Sequence, residues 1–394
     1  MAFASFIGLP MSFFRNDAIN RVNLHTGVQT FAQAGGGIFF FAFLLQAGVA
    51  AHWALLAEAG VMAGRFVLRP SILPLARRWG LKPLFVAGAL GMALQYPLLA
   101  AVDGIGRQLL ILSFTRCLAE VVYWVSYNTY FSSLGDAEHR GHQVSAREAL
   151  VAVVSVVAPL AGAWGLVTLG PRVAFAVIGL VQVLSVLPLL RLPNLPVGPA
   201  PAGVLRGGRR AILLSAADGW IDTWFFYVWQ IVLFVALSRS FPAYGGAMAV
   251  AGLVGAAFGL VLGRHVDGGG GRRAAMIAYA VVALVMLLRS VSAGSAAFAV
   301  AANALGPVAI ALLSPVLGAA TYNLAKRAPC TMRFTVALEG GWDIGCCAAC
   351  VVAAGLAASG APLRWSILLA LPALGLTAVL LRRHYQAVAG PAGP

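Results

Sequence analysis

Two carboxylates lie inside one of the most apolar stretches of this sequence. Residues 210–238 form a long apolar run, and Asp218 and Asp222 stand within it, four residues apart. On a helix this spacing places both side chains on one face. A carboxylate in such a segment usually faces a protein interior or a water-filled cavity, where it can bind a cation or carry a proton. The alternative is a pair of structural acids that a neighbouring arginine neutralises.

Aromatic residues surround these acids, and a second acidic pair repeats the arrangement. Trp220, Trp224, Tyr227 and Trp229 flank the first pair. Aromatic rings beside acids suit an organic cation through cation–π contact and charge together. The second pair, with the same spacing and a tryptophan between its members, is Glu339 and Asp343.

The composition predicts an all-α polytopic membrane protein. Of the 394 residues, 61% are hydrophobic and only 10% are charged, and the mean hydropathy is +0.88. No soluble domain needs so much apolar sequence. The formal charge of +15 lies mostly in short loops between apolar segments, so we expect a lipid bilayer and not nucleic acid as the partner. The start of the chain does not resemble a cleavable signal peptide.

Twelve apolar segments of membrane-crossing length follow one another along the chain. Each can cross a hydrocarbon core of about 30 Å at about 1.5 Å per residue. A Pro-rich stretch predicts a linker at 192–209 between an N-terminal six-helix bundle, 1–191, and a C-terminal six-helix bundle, 210–394. Six spans, a linker and six spans suggest an internal repeat. The predicted spans are 27–49, 52–76, 83–101, 107–131, 146–169, 172–191, 210–238, 243–264, 274–292, 296–325, 331–358 and 363–383.

Basic residues predict the orientation. Nineteen of the 27 Lys and Arg residues fall on the side of the predicted spans that holds both termini and the linker. Such an excess marks the cytoplasmic side. The Arg-, Ala- and Gly-rich composition suggests a bacterial source, and therefore the inner membrane. Three arginines fall inside spans, and five fall on the opposite side, namely Arg107, Arg172, Arg239, Arg289 and Arg364.

Two loops at equivalent places in the six-plus-six pattern combine glycine with basic residues. The loop GRHVDGGGGRR carries Gly263, Asp267 and a closing basic pair, Arg272 and Arg273. The loop LPLARRWGLKP carries Arg78, Gly80 and Lys82. Both loops resemble the cytoplasmic signature of the major facilitator superfamily, G-x-x-x-D-[RK]-x-G-[RK]-[RK]. In the first loop the closing pair comes one residue late, and the second loop lacks the leading glycine and the aspartate. The resemblance implies a fold of two six-helix repeats, with these loops pairing charges with helix ends to stabilise one of two alternating states.

Two spans extend the resemblance toward the proton-coupled members of that family. In span 5, Ala158, Pro159, Gly162 and Ala163 resemble the G-P-x-x-G-G core of the proton-coupled exporters, with both alanines replacing glycines. Such small residues also suit generic helix packing. Arg116 in span 4 stands where the family has an intramembrane arginine associated with proton coupling. Glu120 follows it by four residues, so the alternative is an Arg–Glu pair that serves structure alone.

The resemblance also implies a central cavity lined by spans 1, 4, 7 and 10 and supported by span 11. The substrate- or proton-binding candidates are Gln33, Arg116, Glu120, Tyr123, Asp218, Asp222, Trp224, Asn303, Glu339 and Asp343. The predicted spans contain six acids, of which Glu58 is one, and three arginines, namely Arg65, Arg69 and Arg116. The arginines can neutralise three acids, and the others must bind a cation, carry protons or contact water.

We therefore expect a secondary active transporter of a small molecule, with export of an organic or cationic compound by proton antiport as the first choice. Import by proton symport, of a small metabolite or siderophore, uses the same residues. The arginines inside the spans leave a further alternative, an anionic substrate such as an organic acid or siderophore. A non-transporting sensor or assembly factor on the same fold is the alternative of another class. No enzyme is expected, because all six histidines fall at predicted span ends or in loops and there is no P-loop. No cofactor, metal site or oligomer signal is evident, so a monomer is expected.

Overall fold

The computed structural model describes residues 17–134, 140–198, 209–262, 271–313 and 330–388. They form helices that we group into spans numbered 1 to 12 in chain order. The spans are 1, Asp17–Gly35 and Phe40–Gln46; 2, Ala51–Leu68 and Ile72–Trp79; 3, Leu81–Ala100; 4, Arg107–Leu134; 5, Arg140–Thr168; 6, Gly170–Leu184 and Leu187–Arg191; 7, Arg209–Asp222, Thr223–Val228 and Trp229–Ala236; 8, Phe241–Leu262; 9, Gly271–Ser292; 10, Ala296–Ala304 and 306–313; 11, Thr331–Ala358; and 12, Leu363–Ser366, Ile367–Leu369 and Ala370–Val388.

Eleven of the twelve spans are long and apolar enough to cross a membrane within the described ranges. The exception is span 2, whose helix Ala51–Leu68 contains Glu58 and Arg65 and is followed by Arg69 in a 3-10 turn. These three side chains are buried. Span 2 therefore falls short in hydropathy because it directs charge into the protein, and the predicted all-α, twelve-span membrane fold is confirmed.

The largest error in the predicted boundaries is in span 1, which begins at Asp17 and not at residue 27. Its first turns look too polar for lipid, but Asn23, His25 and Gln29 are buried. The polar side chains of this segment pack against other spans of the first half. The hydropathy of the segment does not reveal such packing. His25 therefore lies within a span, and its predicted position at a span end is wrong.

The packing repeats after six spans. Within the first half, span 1 packs on spans 5 and 6, span 3 on spans 4 and 6, and span 2 on span 4. Adding six to each number gives pairs that also pack in the second half: 7 with 11 and 12, 9 with 10 and 12, and 8 with 10. The halves meet through two equivalent contacts, span 2 with span 11 and span 5 with span 8.

Aromatic rings join the halves at the end of the bundle opposite the termini. Phe39 of span 1 packs on Tyr244 of span 8 with ring centroids 5.6 Å apart, and Phe234 of span 7 packs on Tyr244 at 5.7 Å. The Tyr244 hydroxyl donates to the carbonyl of Ile38 at 3.1 Å. The Phe39 ring lies at the 3-10 turn Gly37–Phe39 that divides span 1. Side chains of both halves are therefore in contact at this end of the bundle.

The chain after span 6 is anchored to the loop between spans 2 and 3. Asn194 accepts from the Lys82 backbone N–H at 3.1 Å and donates to the carbonyl of Trp79 at 2.9 Å. Gly80 has φ +79°, and a side chain there would overlap Asn194, so glycine is required for this close approach. The Lys82 ammonium donates to the carbonyl of Leu190 at 2.6 Å. The domain boundaries at 191 and 210 remain a prediction.

Candidate functional site

Charged side chains of spans 2 and 4 form a chain of ion pairs inside the first half. Arg116 binds Glu58 at 2.5 Å (Nη1–Oε2) and Glu120 at 2.9 Å (Nη2–Oε1). Arg65 binds the second oxygen of Glu120 at 2.9 Å. Buried charges are tolerated in a membrane protein when each has such a partner. The structure thus brings Arg116 and Glu120 together on one helix face.

The chain of charges continues across the contact between the halves. Arg65 also reaches Asp343 of span 11 at 3.0 Å, and Arg69 binds Asp343 and, at 3.2 Å, Glu339. Asn128 of span 4 donates to Glu339 at 2.7 Å. The two arginines and the two acids each stand four residues apart, so each pair presents one helix face to the other. We call the whole set the arginine network: Glu58, Arg65, Arg69, Arg116, Glu120, Glu339 and Asp343.

The aspartate pair, Asp218 and Asp222, lies beside this network but outside it. Both side chains are half-buried on span 7. Asp222 accepts the indole N–H of Trp342 at 3.0 Å. Among the side chains that the structure describes, no basic group lies within ion-pair distance of either aspartate. Within the described residues the pair is therefore two neighbouring carboxyl groups without a basic partner, and the neighbouring arginine of the structural alternative is not found there.

Span 7 changes its winding directly after Asp222. Residues Thr223–Val228 form a π-helix, which leaves one extra residue per turn and is frequent at functional sites. Arg289 of span 9 donates to the carbonyl of Phe225 inside this turn at 2.7 Å. Its guanidinium also lies over the rings of Phe225 and Trp229, 4.1 and 4.9 Å from their centroids. Arg289 lies in the last turn of span 9, inside the predicted span 274–292, and its hydrogen bond and ring contacts hold it buried there.

The aromatic residues near the aspartate pair face neighbouring spans. Trp224 is fully buried and packs on Trp220, whose N–H donates to the carbonyl of Leu369 in span 12 at 2.8 Å. Trp229 donates to the side-chain oxygen of Asn303 at 2.9 Å, and the Asn303 amide donates to a carbonyl of span 8 at 3.0 Å. Asn303 is thus found in contacts between spans of the second half, whereas Trp224 is buried beside Trp220 of its own span. The role of both residues in binding stays a prediction.

Two further candidates differ in exposure. Tyr123 is buried in the first half, where its hydroxyl lies 2.9 Å from His25 Nε2. The other ring nitrogen of His25 donates to the carbonyl of Ser185 at 2.7 Å. Gln33 is exposed and lies seven residues before Phe40, whose ring contacts Arg116 with 4.2 Å from centroid to Cζ. The helix breaks between these two residues, and the Gln33 side chain lies against Gly37 in the 3-10 turn. Its role in binding stays a prediction.

The span 5 signature residues lie between the halves. A side chain at Gly162 would overlap the carbonyl of Gly35 in span 1, and Pro159 and Ala163 lie against Gly245 of span 8. The segment therefore permits close approach on both sides. The proton-coupled exporters' role for it stays a prediction.

Of the signature loops, only the first is described in full. Arg78 is exposed, with its guanidinium 5.9 Å from the ring centroid of Trp79. Gly80 and Lys82 bind the segment after span 6, which belongs to their own half. In the second loop, Gly263 and Asp267 lie outside the described residues. Arg272 and Arg273 begin span 9, and their side chains are not among those described.

Sequence reasoning did not assign a role to Trp342 or Asn128, which connect the charged groups. Trp342 had a signal, its position between the two acids of span 11. Asn128 had none, because only the packing of span 4 on span 11 shows that it meets Glu339. No group of three or more His, Cys, Asp or Glu side chains that could hold a metal ion occurs within the described ranges.

Solved structures of two transporters share this arrangement of helices. The human organic anion transporter MFSD10 (TETRAN) superposes with a TM-score of 0.68 at 14% identity, over 93% of this chain and 99% of that one. The POT family transporter PepTSo superposes with a TM-score of 0.63 at 11% identity, over 94% and 98% of the two chains. The sequence matches no protein-family model and no curated protein. Together with the six-plus-six packing, these superpositions show that the chain has the fold of the major facilitator superfamily.

Proposed function

We propose that this protein is a secondary active transporter that exports a small organic cation across the bacterial inner membrane in exchange for protons. It works by alternating access, with both termini in the cytoplasm. The observation that carries the proposal is the aspartate pair, which lies at the half-buried face of span 7 without a basic partner among the described side chains. A carboxylate at such a position is stabilised by a cation or by a proton, and the two can therefore compete for it.

The arginines favour a cation over an anion as the substrate. Arg65, Arg69 and Arg116 are each bound to two or more carboxylates of the arginine network. An anionic substrate would have to displace a protein carboxylate from one of them. The four acids of that network already exceed its three arginines, and the aspartate pair adds two more, so the negative charge available to a ligand is concentrated beside span 7.

The ion pairs between spans 2 and 11 suit alternating access. They join the two halves, so they must break when span 2 moves away from span 11. A proton or a cation that changes the charge of the acids changes the free energy of that opening, which is what coupling requires. The same groups support a symporter, which is the second candidate. One structural neighbour is named as an organic anion transporter and the other as a POT family transporter. The shared fold therefore does not indicate the substrate.

The test uses inverted membrane vesicles in which respiration acidifies the lumen, followed with a pH-sensitive dye. We would add ethidium or tetraphenylphosphonium as organic cations, p-aminohippurate as an organic anion, and zinc. We expect the cations alone to dissipate the pH gradient. Asp222→Asn should abolish the response, whereas Asp103→Asn, the same change at an exposed loop carboxylate, should retain it.

Two results would contradict the proposal. A response to p-aminohippurate alone would show that the substrate is an anion. An unchanged response of Asp222→Asn to the cations would show that the aspartate pair is not their site. A symporter moves the cation in the same direction as the protons. Cation uptake together with protons, with no dissipation of the pH gradient when cations are added to the inverted vesicles, would therefore favour the symporter.

A further inference from the structure

Trp342 is the side chain that connects the aspartate pair with the arginine network. Its indole N–H donates to Asp222 Oδ2 at 3.0 Å. The guanidinium carbon of Arg65 lies over its ring, 5.3 Å from the centroid. Arg65 reaches the adjacent residue Asp343 at 3.0 Å and Glu120 at 2.9 Å. Trp342 thus contacts Asp222, which has no basic partner among the described side chains, and also Arg65, which belongs to the other half.

The two contacts of Trp342 differ: the one with Asp222 lies within the second half, and the one with Arg65 joins the two halves. Spans 7 and 11 belong to the same half and approach so closely that a side chain at Gly219 would overlap the Trp342 carbonyl. A side chain at Gly345 would likewise overlap the Ala216 carbonyl. Backbone contacts of this kind keep Trp342 and Asp222 together. Arg65 belongs to span 2 of the first half, so its contact with the Trp342 ring is the one that a separation of the halves removes.

The two contacts strengthen each other. A cation over an indole ring draws electron density from it and makes the N–H a better hydrogen-bond donor. A carboxylate that accepts from the N–H makes the ring a better partner for the cation. With Arg65 in place, the negative charge of Asp222 is therefore better stabilised than after Arg65 has left. Asp222 is also faced by Asp218 of span 7 and by the thiol of Cys346 of span 11, and both lie in the same half and move with it.

From this geometry we infer that Trp342 is a positioning residue that couples the charge of Asp222 to the closure of spans 2 and 11. When the spans are closed, the N–H of Trp342 holds Asp222 as an anion. When they open, Asp222 binds a proton or a cation more readily. The inference rests on the proposed function, because it explains how the two states of a transporter differ in affinity at one site.

The experiment compares two activities of purified protein in liposomes with ethidium as the probe. One is ethidium accumulation driven by an imposed pH gradient, and the other is ethidium exchange without a gradient. Trp342→Phe keeps a ring for Arg65 and removes the N–H. The matched control is Trp365→Phe, because Trp365 is an exposed tryptophan that also has an arginine over its ring, Arg364 at 5.2 Å.

We expect the ratio of driven accumulation to exchange to fall about tenfold in Trp342→Phe, within the usual range of coupling between two sites. The ratio should not change in Trp365→Phe. Arg65→Lys, which keeps the charge but not the planar guanidinium, should lower the ratio with the N–H of Trp342 intact. This second variant also covers the case in which Trp342→Phe does not fold.

Equal losses of both activities in Trp342→Phe and Arg65→Lys would overturn the inference, because they would show a structural role alone. An unchanged ratio in both variants would overturn it as well. If wild-type protein moves no ethidium in either assay, the proposed function fails and this inference with it. The wild-type measurement therefore separates the two failures.

Discussion

The two halves of this protein are packed alike but charged differently. In the first half, span 5 approaches span 1 through Gly162, where a side chain would overlap the carbonyl of Gly35. In the second half, span 11 approaches span 7 through Gly345, where a side chain would overlap the carbonyl of Ala216. The same span pair of the repeat therefore packs in the same way: a glycine on one span leaves room for a backbone carbonyl of the other.

The charges break this symmetry. The first half carries the three arginines of the arginine network and two of its acids, whereas the second half carries the other two acids and the aspartate pair. Opposite charge therefore meets across the contact of spans 2 and 11, while excess negative charge stays in the second half. The repeat thus supplies the framework, and the proposed function rests on what differs between its two copies.

The largest effect is expected where the opposite charges meet. Arg69→Met leaves Asp343 buried with one arginine fewer, and the loss of one partner of a buried ion pair costs about 3–5 kcal/mol. We expect a clear fall in the unfolding temperature in detergent. Arg21→Met is the control, since Arg21 pairs with the exposed Asp17 and such pairs contribute about 0–1 kcal/mol. Equal unfolding temperatures of the two variants would contradict the account.

A smaller effect is expected where the halves are alike. Gly162→Ala and Gly345→Ala each push a methyl group into a backbone carbonyl, and such overpacking costs about 1–3 kcal/mol. Both variants should therefore lower the unfolding temperature. Gly355→Ala in span 11 meets no atom within 4 Å and should be neutral or stabilising by about 0.5–1 kcal/mol. A loss in only one of the first two variants would show that the halves are not packed alike.

The π-turn of span 7 gives the next prediction. Arg289→Met leaves the carbonyl of Phe225 without the donor that it has in the structure. A buried acceptor without a partner costs about 1–3 kcal/mol. Arg107→Met, at the exposed start of span 4, is the matched control in the other half. We expect thermal unfolding to separate the two variants, and overlapping curves would show that Arg289 does not hold the turn.

The smallest effect concerns the anchor of the chain after span 6. Asn194→Ala removes hydrogen bonds to Trp79 and Lys82 at an exposed position, where we expect a loss of about 0.5–1.5 kcal/mol. Protease digestion should cut the segment after span 6 faster in this variant than in wild-type protein. An unchanged cleavage rate would show that Asn194 does not anchor the segment.

The spans of the fold could be predicted because the hydropathy of each segment depends only on its own residues. Eleven spans were found from apolar length alone, and span 2 was found although its charges lower its hydropathy. The error at His25 has a physical cause. A polar residue near a span end looks like a loop residue in the sequence, yet this side chain is buried against neighbouring spans.

The candidate site could be predicted only in part. The pairing of Arg116 with Glu120 follows from their spacing on one helix. The pairing of Arg69 with Asp343, and of Trp342 with Asp222, depends on which spans pack together. No local pattern contains that information, because these partners are separated by 274 and 120 residues.

The most direct test of the central claim is carbodiimide labelling of wild-type protein in membranes at neutral pH, read by mass spectrometry. Dicyclohexylcarbodiimide is apolar and reacts with protonated carboxyl groups, so it distinguishes acids that hold a proton from acids that an arginine keeps ionised. We predict labelling of the aspartate pair at Asp218, which accepts no hydrogen bond from a described side chain, whereas Asp222 accepts from Trp342. We also predict protection of the pair by ethidium and no labelling of Glu58, Glu120 or Asp343. Labelling of those three acids with none at Asp218 or Asp222 would contradict the account.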